Sequence, residues 1–318
     1  MNKKLVKQIV IIAGVVGTFT IANAFVFAVF TNRVINYSSS QMQAKSVEVD
    51  KFLPFAKETK IVKKENADKL QGDLPVIDAA AALVPIQSSI VYSLYPEASV
   101  KYVDGDFTTD SAMQYHNTRG AFKGIADGTI DIALCAKPNK EQMEYAASKG
   151  VEFELTPIGR EAFVFIINKN NKVDNLTMDQ LKDIYKGKIT NWSEVGGDWR
   201  PINVIKRNKG SGSQTALENL IGDEIKTNFF GPLGSSLGFS FRYYVEELTE
   251  HGHIKMLSLN GVYPNKENVQ NESYPIISNF YAVTRKGETN PNVQKILDFI
   301  LSPTGQEIVN EVGYVGLN

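Results

Sequence analysis

The amino-acid sequence predicts an α/β protein with parallel-rich sheets covered by helices, preceded by an N-terminal transmembrane helix. From residue 74 onward, short apolar runs typical of strands alternate with runs of helical periodicity, as in parallel sheets that carry helices on both faces. The chain has 318 residues, more than a single hydrophobic core usually holds, so we expect two domains or one large split domain. Before this body lies an uncharged apolar run that is long enough to cross a bilayer.

Composition excludes several classes of protein. Hydrophobic residues make up 43% of the chain and charged residues 22%, which is typical of a folded body and not of a disordered or fibrous chain. The formal net charge is −1 and becomes more negative once the basic N-terminal segment is left out, so we expect no nucleic-acid partner. Cys135 is the only cysteine, which excludes an internal disulfide, a thiolate zinc site and an iron–sulfur cluster. We expect neither a metal nor a cofactor.

Residues 1–33 are predicted to be a membrane anchor or a signal segment. Residues 1–7 are basic, residues 8–32 carry no charge, and residues 9–30 would extend about 33 Å as a helix, the thickness of a bilayer core. Ala22-Asn23-Ala24 resembles a cleavage site, and cleavage there would leave a secreted or periplasmic protein. Apolar residues continue past that site, which favours an uncleaved anchor. Because the basic residues come first, we expect a cytoplasmic N-terminus and an extracytoplasmic body at the cell membrane.

Residues 34–71 are polar and charged, which is typical of a stalk that lifts the body from the membrane. Within the stalk, the run Phe52-Leu53-Pro54-Phe55 is the part that we expect to pack on the body. The body itself therefore begins at about residue 72.

The first half of the body alternates between strand and helix patterns. One helix carries apolar residues at helical spacing from Leu83 to Leu94, and a second lies at 118–126. A third helix is capped by Asn139, with Gln142 three residues later. Short apolar runs predict the strands of this half at 74–77, 100–103, 130–134, 151–155 and 162–167.

The second half continues the alternation. Thr177 and Gln180 form a capping box that opens a helix, and Gly187 ends this helix. A strand at 202–206 runs directly into a glycine- and serine-rich turn at 207–213. The remaining strands are predicted at 239–245, 256–259 and 276–284, and the remaining helices at 214–221, at 292–301 and from Thr304 onward.

The turn at 207–213 is the most informative stretch for function. Its place between a strand and a helix leaves backbone N–H groups pointing outward at the helix N-terminus, where the helix dipole adds positive potential. Ser211 and Ser213 add hydroxyl donors, and Arg207 can place its guanidinium on the same oxyanion. A flexible loop with an N-cap serine is the alternative interpretation. No nucleophile elbow, zincin helix or dinucleotide fingerprint occurs in the sequence, so we expect a binding protein without catalytic residues and not an enzyme.

Three motifs carry a resemblance to a known family. They are Pro157-Ile158-Gly159-Arg160-Glu161, Gly187-Lys188-Ile189-Thr190-Asn191-Trp192 and, further along, Gly210-Ser211-Gly212-Ser213. Over about residues 72–318 the chain resembles the phosphate-binding proteins of bacterial phosphate ABC importers. This resemblance implies a type II periplasmic-binding-protein fold, in which two α/β lobes joined by two crossing strands close on a ligand in the cleft between them.

The division into lobes also follows from the resemblance. Lobe one would comprise residues 72–160 and 276–318, and lobe two residues 161–275. Residues 162–168 and 275–281 would be the hinge strands. The ligand would lie at the carboxyl ends of the strands, between the lobes.

Members of this family typically hold the oxyanion through three loops at helix N-termini. The first loop of this chain departs from the family because alanines stand where serine or threonine is usual, so that backbone N–H groups remain but hydroxyl donors do not. The resemblance assigns as ligand-binding residues Arg207, Ser211, Gly212 and Ser213 in the third loop, Thr118 in the second, and Ala81 and Ala82 in the first.

A second departure concerns the acceptor of the phosphate proton. The better-known phosphate binders carry an aspartate there, and the corresponding residue of this chain is Ala136. Lys137, beside it, either faces the cleft or is a solvated turn residue. Unless Asp78 or Glu161 turns into the pocket, we expect weak binding and poor discrimination between phosphate and sulfate.

Two functions remain open from the sequence. The first is a monomeric, membrane-anchored solute-binding protein that captures an inorganic oxyanion, phosphate by family, for the permease of an ABC importer. The second is a membrane-anchored sensor or scaffold with altered or lost anion specificity and without a transport partner. Permease and ATPase genes next to this one would favour import.

Overall fold

The computed structural model describes Asn23 and residues 47–65, 68–207, 209–222, 225–226, 235–248 and 252–317. The chain separates into two units, Met1–Gln43 and Ala44–Asn318. Apart from Asn23, which is helical, the predicted membrane anchor lies outside the described residues. No helix in the described ranges combines the length and apolar character needed to span a membrane.

The strands of the second unit are short, apart from one of 16 residues. They are β1 (Ile77–Ala79), β2 (Tyr102–Val103), β3 (Asp106–Phe107), β4 (Ile132–Ala136), β5 (Phe153–Asn168), β6 (Asn175–Leu176), β7 (Asn203–Val204), β8 (Ser236–Phe241), β9 (Ile254–Met256), β10 (Ser258–Leu259) and β11 (Ile277–Arg285).

Most helices begin where the sequence signals predict. The predicted capping boxes at Asn139 and Thr177 are both formed, each with a glutamine three residues later. The helices are α1 (Val84–Leu94), α2 (Asn117–Asp127), α3 (Lys140–Ser148), α4 (Met178–Tyr185), α5 (Gly212–Ile221), α6 (Arg242–Leu248), α7 (Lys266–Gln270), α8 (Pro291–Leu301) and α9 (Pro303–Val312).

Seven strands form one sheet in the order β1-β4-β11-β5-β8-β7, with β9 also paired to β5. The pairs β1–β4 and β7–β8 are parallel, whereas every pair made by β5 or β11 is antiparallel. The prediction of parallel-rich sheets is therefore right for the outer pairs of this sheet and for the separate pair β6–β10, and wrong for the strands between the outer pairs. Alternation of strands and helices does not reveal the direction of the two strands that cross the middle of the sheet.

Strand β5 runs through both halves of this sheet. Its first part pairs with β11, from Phe153 opposite Arg285 to Ala162 opposite Ile277, and its second part pairs with β8 and β9. The strands predicted at 151–155 and 162–167 are thus parts of one strand. We call the half that contains β1, β4 and β11 lobe one, and the half that contains β7, β8 and β9 lobe two.

Lobe one has an apolar core on each face of its part of the sheet. On one face α1, α8 and α9 pack their buried side chains against β1, β4 and β11. On the other face α2 and α3 cover Cys135 and Val283. Cys135 is completely buried, and this burial raises the pKa of its thiol, so it is an inert core residue.

The described part of the predicted stalk lies against α1. Val47 and Phe52 are buried with Val84, the first residue of α1, and the backbone N–H of Val62 donates a 3.1 Å hydrogen bond to Ser89 Oγ. Ten of the eleven residues of α1 are buried, all except Tyr92, because this segment covers the face that the sheet does not. We call residues 47–65 the N-terminal strap.

A buried ion pair lies where β5 passes from one lobe to the other. Glu161 Oε1 accepts a 3.1 Å hydrogen bond from Nε of Arg242, the first residue of α6. Backbone N–H groups of Ala162 and Tyr243 also donate to this carboxylate, at 2.8 and 3.1 Å. Burial raises the pKa of Glu161 to about 7, because the loss of hydration outweighs the attraction of Arg242 and the two N–H groups.

Glu161 is expected to lower the free energy of unfolding as the pH rises from about 4.5 to about 7. The folded-state pKa lies above the usual 4.5, so the stability contribution of the bound proton is present below that value and is lost as the pH rises through 7. Urea unfolding at about pH 5 and about pH 8 measures the effect, with Glu161→Gln as the variant that cannot titrate. The same pH dependence in both proteins would contradict this role.

Candidate anion-binding site

At three helix N-termini, backbone N–H groups have no acceptor in the part of the chain that the structure describes. Loop one (residues 80–83) leads from β1 into α1, loop two (115–119) leads into α2, and loop three (207–213) leads from β7 towards α5. Among the described residues, no acceptor lies within hydrogen-bond distance of the N–H groups of Ala81, Ala82, Thr118, Gly212 and Ser213. Such N–H groups, together with the helix dipoles, favour an anion.

Arg207 supplies the fixed positive charge of loop three. It is only 8% exposed, and no carboxylate of the described residues lies within 4 Å of its guanidinium. Its Nη1 donates to Ser213 Oγ at 3.0 Å and lies 3.5 Å from Ser240 Oγ. The guanidinium carbon is 5.8 Å from the centre of the Tyr244 ring.

The surroundings of the Arg207 guanidinium favour the binding of an anion. Burial lowers the pKa of Arg207, but a guanidinium of this kind stays charged at neutral pH. Among the described residues, hydroxyls and an aromatic ring are the contacts of this buried charge. Such a charge is costly, and an anion brought to Nη1 would offset that cost. The arrangement is therefore suited to binding a small oxyanion.

The serines of loop three combine two roles. Ser211 is the N-cap of α5 and accepts a 3.2 Å hydrogen bond from the N–H of Gln214, so the predicted N-cap interpretation is confirmed. Ser213 accepts from Arg207. Each hydroxyl uses its oxygen as acceptor in these contacts and still has its proton to donate. The N-cap role and the binding role are thus compatible.

Loop three approaches lobe one at Gly212. A methyl group on this glycine would lie 3.7 Å from Ala136 Cβ and 3.8 Å from Thr118 Oγ1. Loop three makes a second contact with lobe one, in which Lys209 Nζ forms a 3.1 Å ion pair with Glu141 of α3. The structure therefore brings together loop three, Thr118 and Ala136, as the sequence predicts, and the contact joins the two lobes.

Loop one reaches the site through α6. The turn Ala81–Leu83 contacts α6, the helix that places Tyr244 over Arg207. The carbonyl oxygen of Ala82 accepts a 2.6 Å hydrogen bond from the Tyr314 hydroxyl, which fixes the turn from the other side. Ala81 and Ala82 therefore lie in a turn that contacts the helix carrying Tyr244.

Asp78 links loop one to loop two. It is completely buried at the end of β1, where Oδ1 accepts from the backbone N–H groups of Ala79 and His116 at 2.7 and 3.0 Å. Its Oδ2 lies 2.7 Å from His116 Nδ1, and this hydrogen bond raises the pKa of the histidine. The carboxylate of Asp78 is thus committed to His116 and the backbone.

Neither of the two acids predicted as alternatives replaces the proton acceptor that is missing at Ala136. Asp78 is held by His116, and Glu161 is held by Arg242. Lys137 is exposed, as expected of a solvated turn residue.

Sequence reasoning missed Ser240, Tyr244 and His116. Ser240 and Tyr244 lie on either side of the β8–α6 junction, and no motif in that stretch signals a contact with Arg207. His116 is likewise not part of any motif in the sequence.

A model of the family described as "PBP superfamily domain" matches residues 78–304. The phosphate-binding protein PstS of Borreliella burgdorferi is 27% identical over 254 residues, which are 72% of this chain and 88% of that protein. The phosphate-binding protein PstS of Bacillus subtilis is 25% identical over 268 residues, or 80% of this chain and 85% of that protein. These matches confirm the resemblance carried by the three motifs.

A solved structure from Clostridium perfringens, of a candidate phosphate ABC transporter substrate-binding protein with bound phosphate, has the same fold. It superposes with a TM-score of 0.57 at 25% identity, over 76% of this chain and 98% of that chain. The predicted two-lobed α/β architecture of the body is thereby confirmed.

Proposed function

The chain belongs to the PBP (periplasmic-binding-protein) superfamily, and on this basis we propose that it is a solute-binding protein that captures inorganic phosphate for an ABC importer. The observation that carries the proposal is buried Arg207, which has no carboxylate partner among the described residues and lies beside the free N–H groups of α5. Binding requires no chemical step, so no catalytic residue is assigned.

The similar proteins favour phosphate over other oxyanions. The two relatives are named as phosphate-binding proteins, and the similar solved structure holds phosphate. The ABC importer and its permease are partners inferred from that named transport system. The protein would act as a monomer that docks on the permease when loaded.

The ligand would lie between two lobes that close on it. In this proposal lobe one comprises residues 72–160 and 276–318, lobe two comprises residues 161–275, and the hinge lies at 162–168 and 275–281. The pairing of β5 with β11 in one lobe and with β8 in the other supports this division. The approach of Gly212 to Thr118 supports a site that both lobes share.

Arg207→Ala is expected to weaken phosphate binding by roughly tenfold to a hundredfold, more than Ser211→Ala or Ser213→Ala. A charge-assisted hydrogen bond contributes about 1.5–3 kcal/mol, against about 1 kcal/mol for a neutral one. Titration calorimetry with inorganic phosphate measures all three variants. Arg200→Ala, which removes an exposed arginine of lobe two, is the matched control. Wild-type affinity in Arg207→Ala would remove loop three from the site.

The protein is expected to prefer phosphate over sulfate by less than about a hundredfold, which corresponds to about 2.7 kcal/mol. Ala136 cannot accept the proton of phosphate, and Asp78 and Glu161 are committed to other partners. Ala136→Asp should raise the preference, whereas Ala136→Asn, of the same size but uncharged, should not. Competition calorimetry at about pH 7 measures the ratio. A larger preference in the wild type would reveal a further acceptor, and binding of neither anion would favour the sensor or scaffold function.

The N-terminal segment is proposed to anchor the body on the outer side of the cell membrane. The support is the sequence alone, with basic residues before an uncharged apolar run at residues 9–30. Protease added to intact cells should digest the body, and the full-length protein should remain with the membrane fraction. Recovery of a soluble protein that starts near Phe25 would show instead that the segment is a cleaved signal.

A further inference from the structure

The N-terminal strap meets loop two at the side chain of Tyr115. Its ring packs on the buried cluster of Val47, Phe52 and Val84. Its hydroxyl donates a 2.8 Å hydrogen bond to Asn117 Oδ1. Tyr115 therefore connects the beginning of the described strap to the first residue of α2.

Asn117 is held in an unfavourable backbone conformation. Its φ of 58° lies in the left-handed region, which is uncommon for residues other than glycine. The next residue, Thr118, carries one of the N–H groups without an acceptor among the described residues. A side-chain contact that fixes Asn117 therefore also fixes the direction in which that N–H group points.

The strap touches loop one as well. Ala81, in the turn before α1, packs on the same cluster of Val47, Phe52 and Val84 as Tyr115 does. Loops one and two thus rest on one common apolar contact with the strap, in addition to the link through Asp78. A change in this contact would reach two of the three N-termini that form the site.

Further contacts hold the strap along α1 and α9. The Tyr92 hydroxyl of α1 donates to Glu65, and Lys64 Nζ forms ion pairs with Glu307 and Glu311 of α9 at 3.1 and 2.7 Å. These contacts lie at the other end of the strap from Val47. The strap precedes residues 78–304, to which the family model matches.

We propose that the N-terminal strap is a positioning element of the anion site, with Tyr115 as the residue that transmits its contact to loop two. The identity of the anion, phosphate, rests on the function proposed above. The positioning role itself does not, because it concerns the conformation of the loops in the unliganded protein. Burial raises the pKa of Tyr115 to about 12, so the hydroxyl keeps the proton that it donates to Asn117 at neutral pH.

Tyr115→Phe tests the proposal, because it removes the hydroxyl and leaves the packed ring. In the unliganded full-length protein we expect faster hydrogen exchange of the backbone amide of Gly120, whose N–H donates to the carbonyl oxygen of His116 in loop two at 3.2 Å. In calorimetry with inorganic phosphate we expect an affinity about tenfold lower, equivalent to about 1.4 kcal/mol. Tyr92→Phe is the matched control, since it removes a hydroxyl of α1 that bonds the far end of the strap, and it should change neither measurement.

A double-mutant cycle separates positioning from general stabilisation. Asn117→Gly keeps the left-handed backbone and removes the acceptor of the Tyr115 hydroxyl, so adding Tyr115→Phe to it should lower the phosphate affinity little further. Wild-type exchange in Tyr115→Phe would overturn the proposal, and so would equal effects of Tyr115→Phe and Tyr92→Phe. If the wild-type protein binds no phosphate, the proposed function fails, while the exchange measurements still decide on the strap.

Discussion

The continuity of β5 through both halves of the sheet is the constraint on which the site depends. Pro157 lies in this strand where the pairing with β11 changes register between Phe280 and Tyr281, and the irregularity accommodates a residue that has no N–H to donate. Two residues on, a side chain at Gly159 would collide with the Phe280 ring. These features keep β5 and β11 closely packed up to the point where β5 enters lobe two. The start of α6 is then fixed by Glu161, and α6 in turn places Tyr244 beside Arg207.

The charges around the cleft are divided between the lobes in a way that suits a bound anion. Lobe two contributes the guanidinium of Arg207, and lobe one contributes the N-termini of α1 and α2. The buried carboxylate of Asp78, at the end of β1, would oppose this arrangement if it were alone. Its hydrogen bond with His116 favours the charged imidazole, so that the pair approaches neutrality in the place where an anion would otherwise be repelled.

The sequence made parts of this site predictable for clear physical reasons. Loop three could be predicted because glycine and serine between a strand and a helix, with an arginine upstream, leave few other interpretations. The partners of Arg207 could not be predicted, because Ser240 and Tyr244 are distant from it in the chain. The pairing of β8 with β5 and β7 brings them next to Arg207. Strand β5 was predicted as two strands because Pro157 and Gly159 interrupt its apolar pattern. The strap was predicted as a stalk because its composition is mostly polar. The run that begins at Phe52 was expected to pack on the body and does so, whereas the isolated Val47 gave no such signal.

The ion pair between Lys209 and Glu141 has a consequence for the transport cycle. It joins loop three to α3 across the two lobes, yet its side chains are 81% and 59% exposed. Exposed pairs of this kind contribute at most about 1 kcal/mol and are weakened by salt. The contact that this pair makes between the lobes is therefore weak. A bound anion, contacted by both lobes, would hold them together more strongly. Once a transporter withdraws that ion, this pair alone would hold the lobes together only weakly, so loss of the ion would favour the open form.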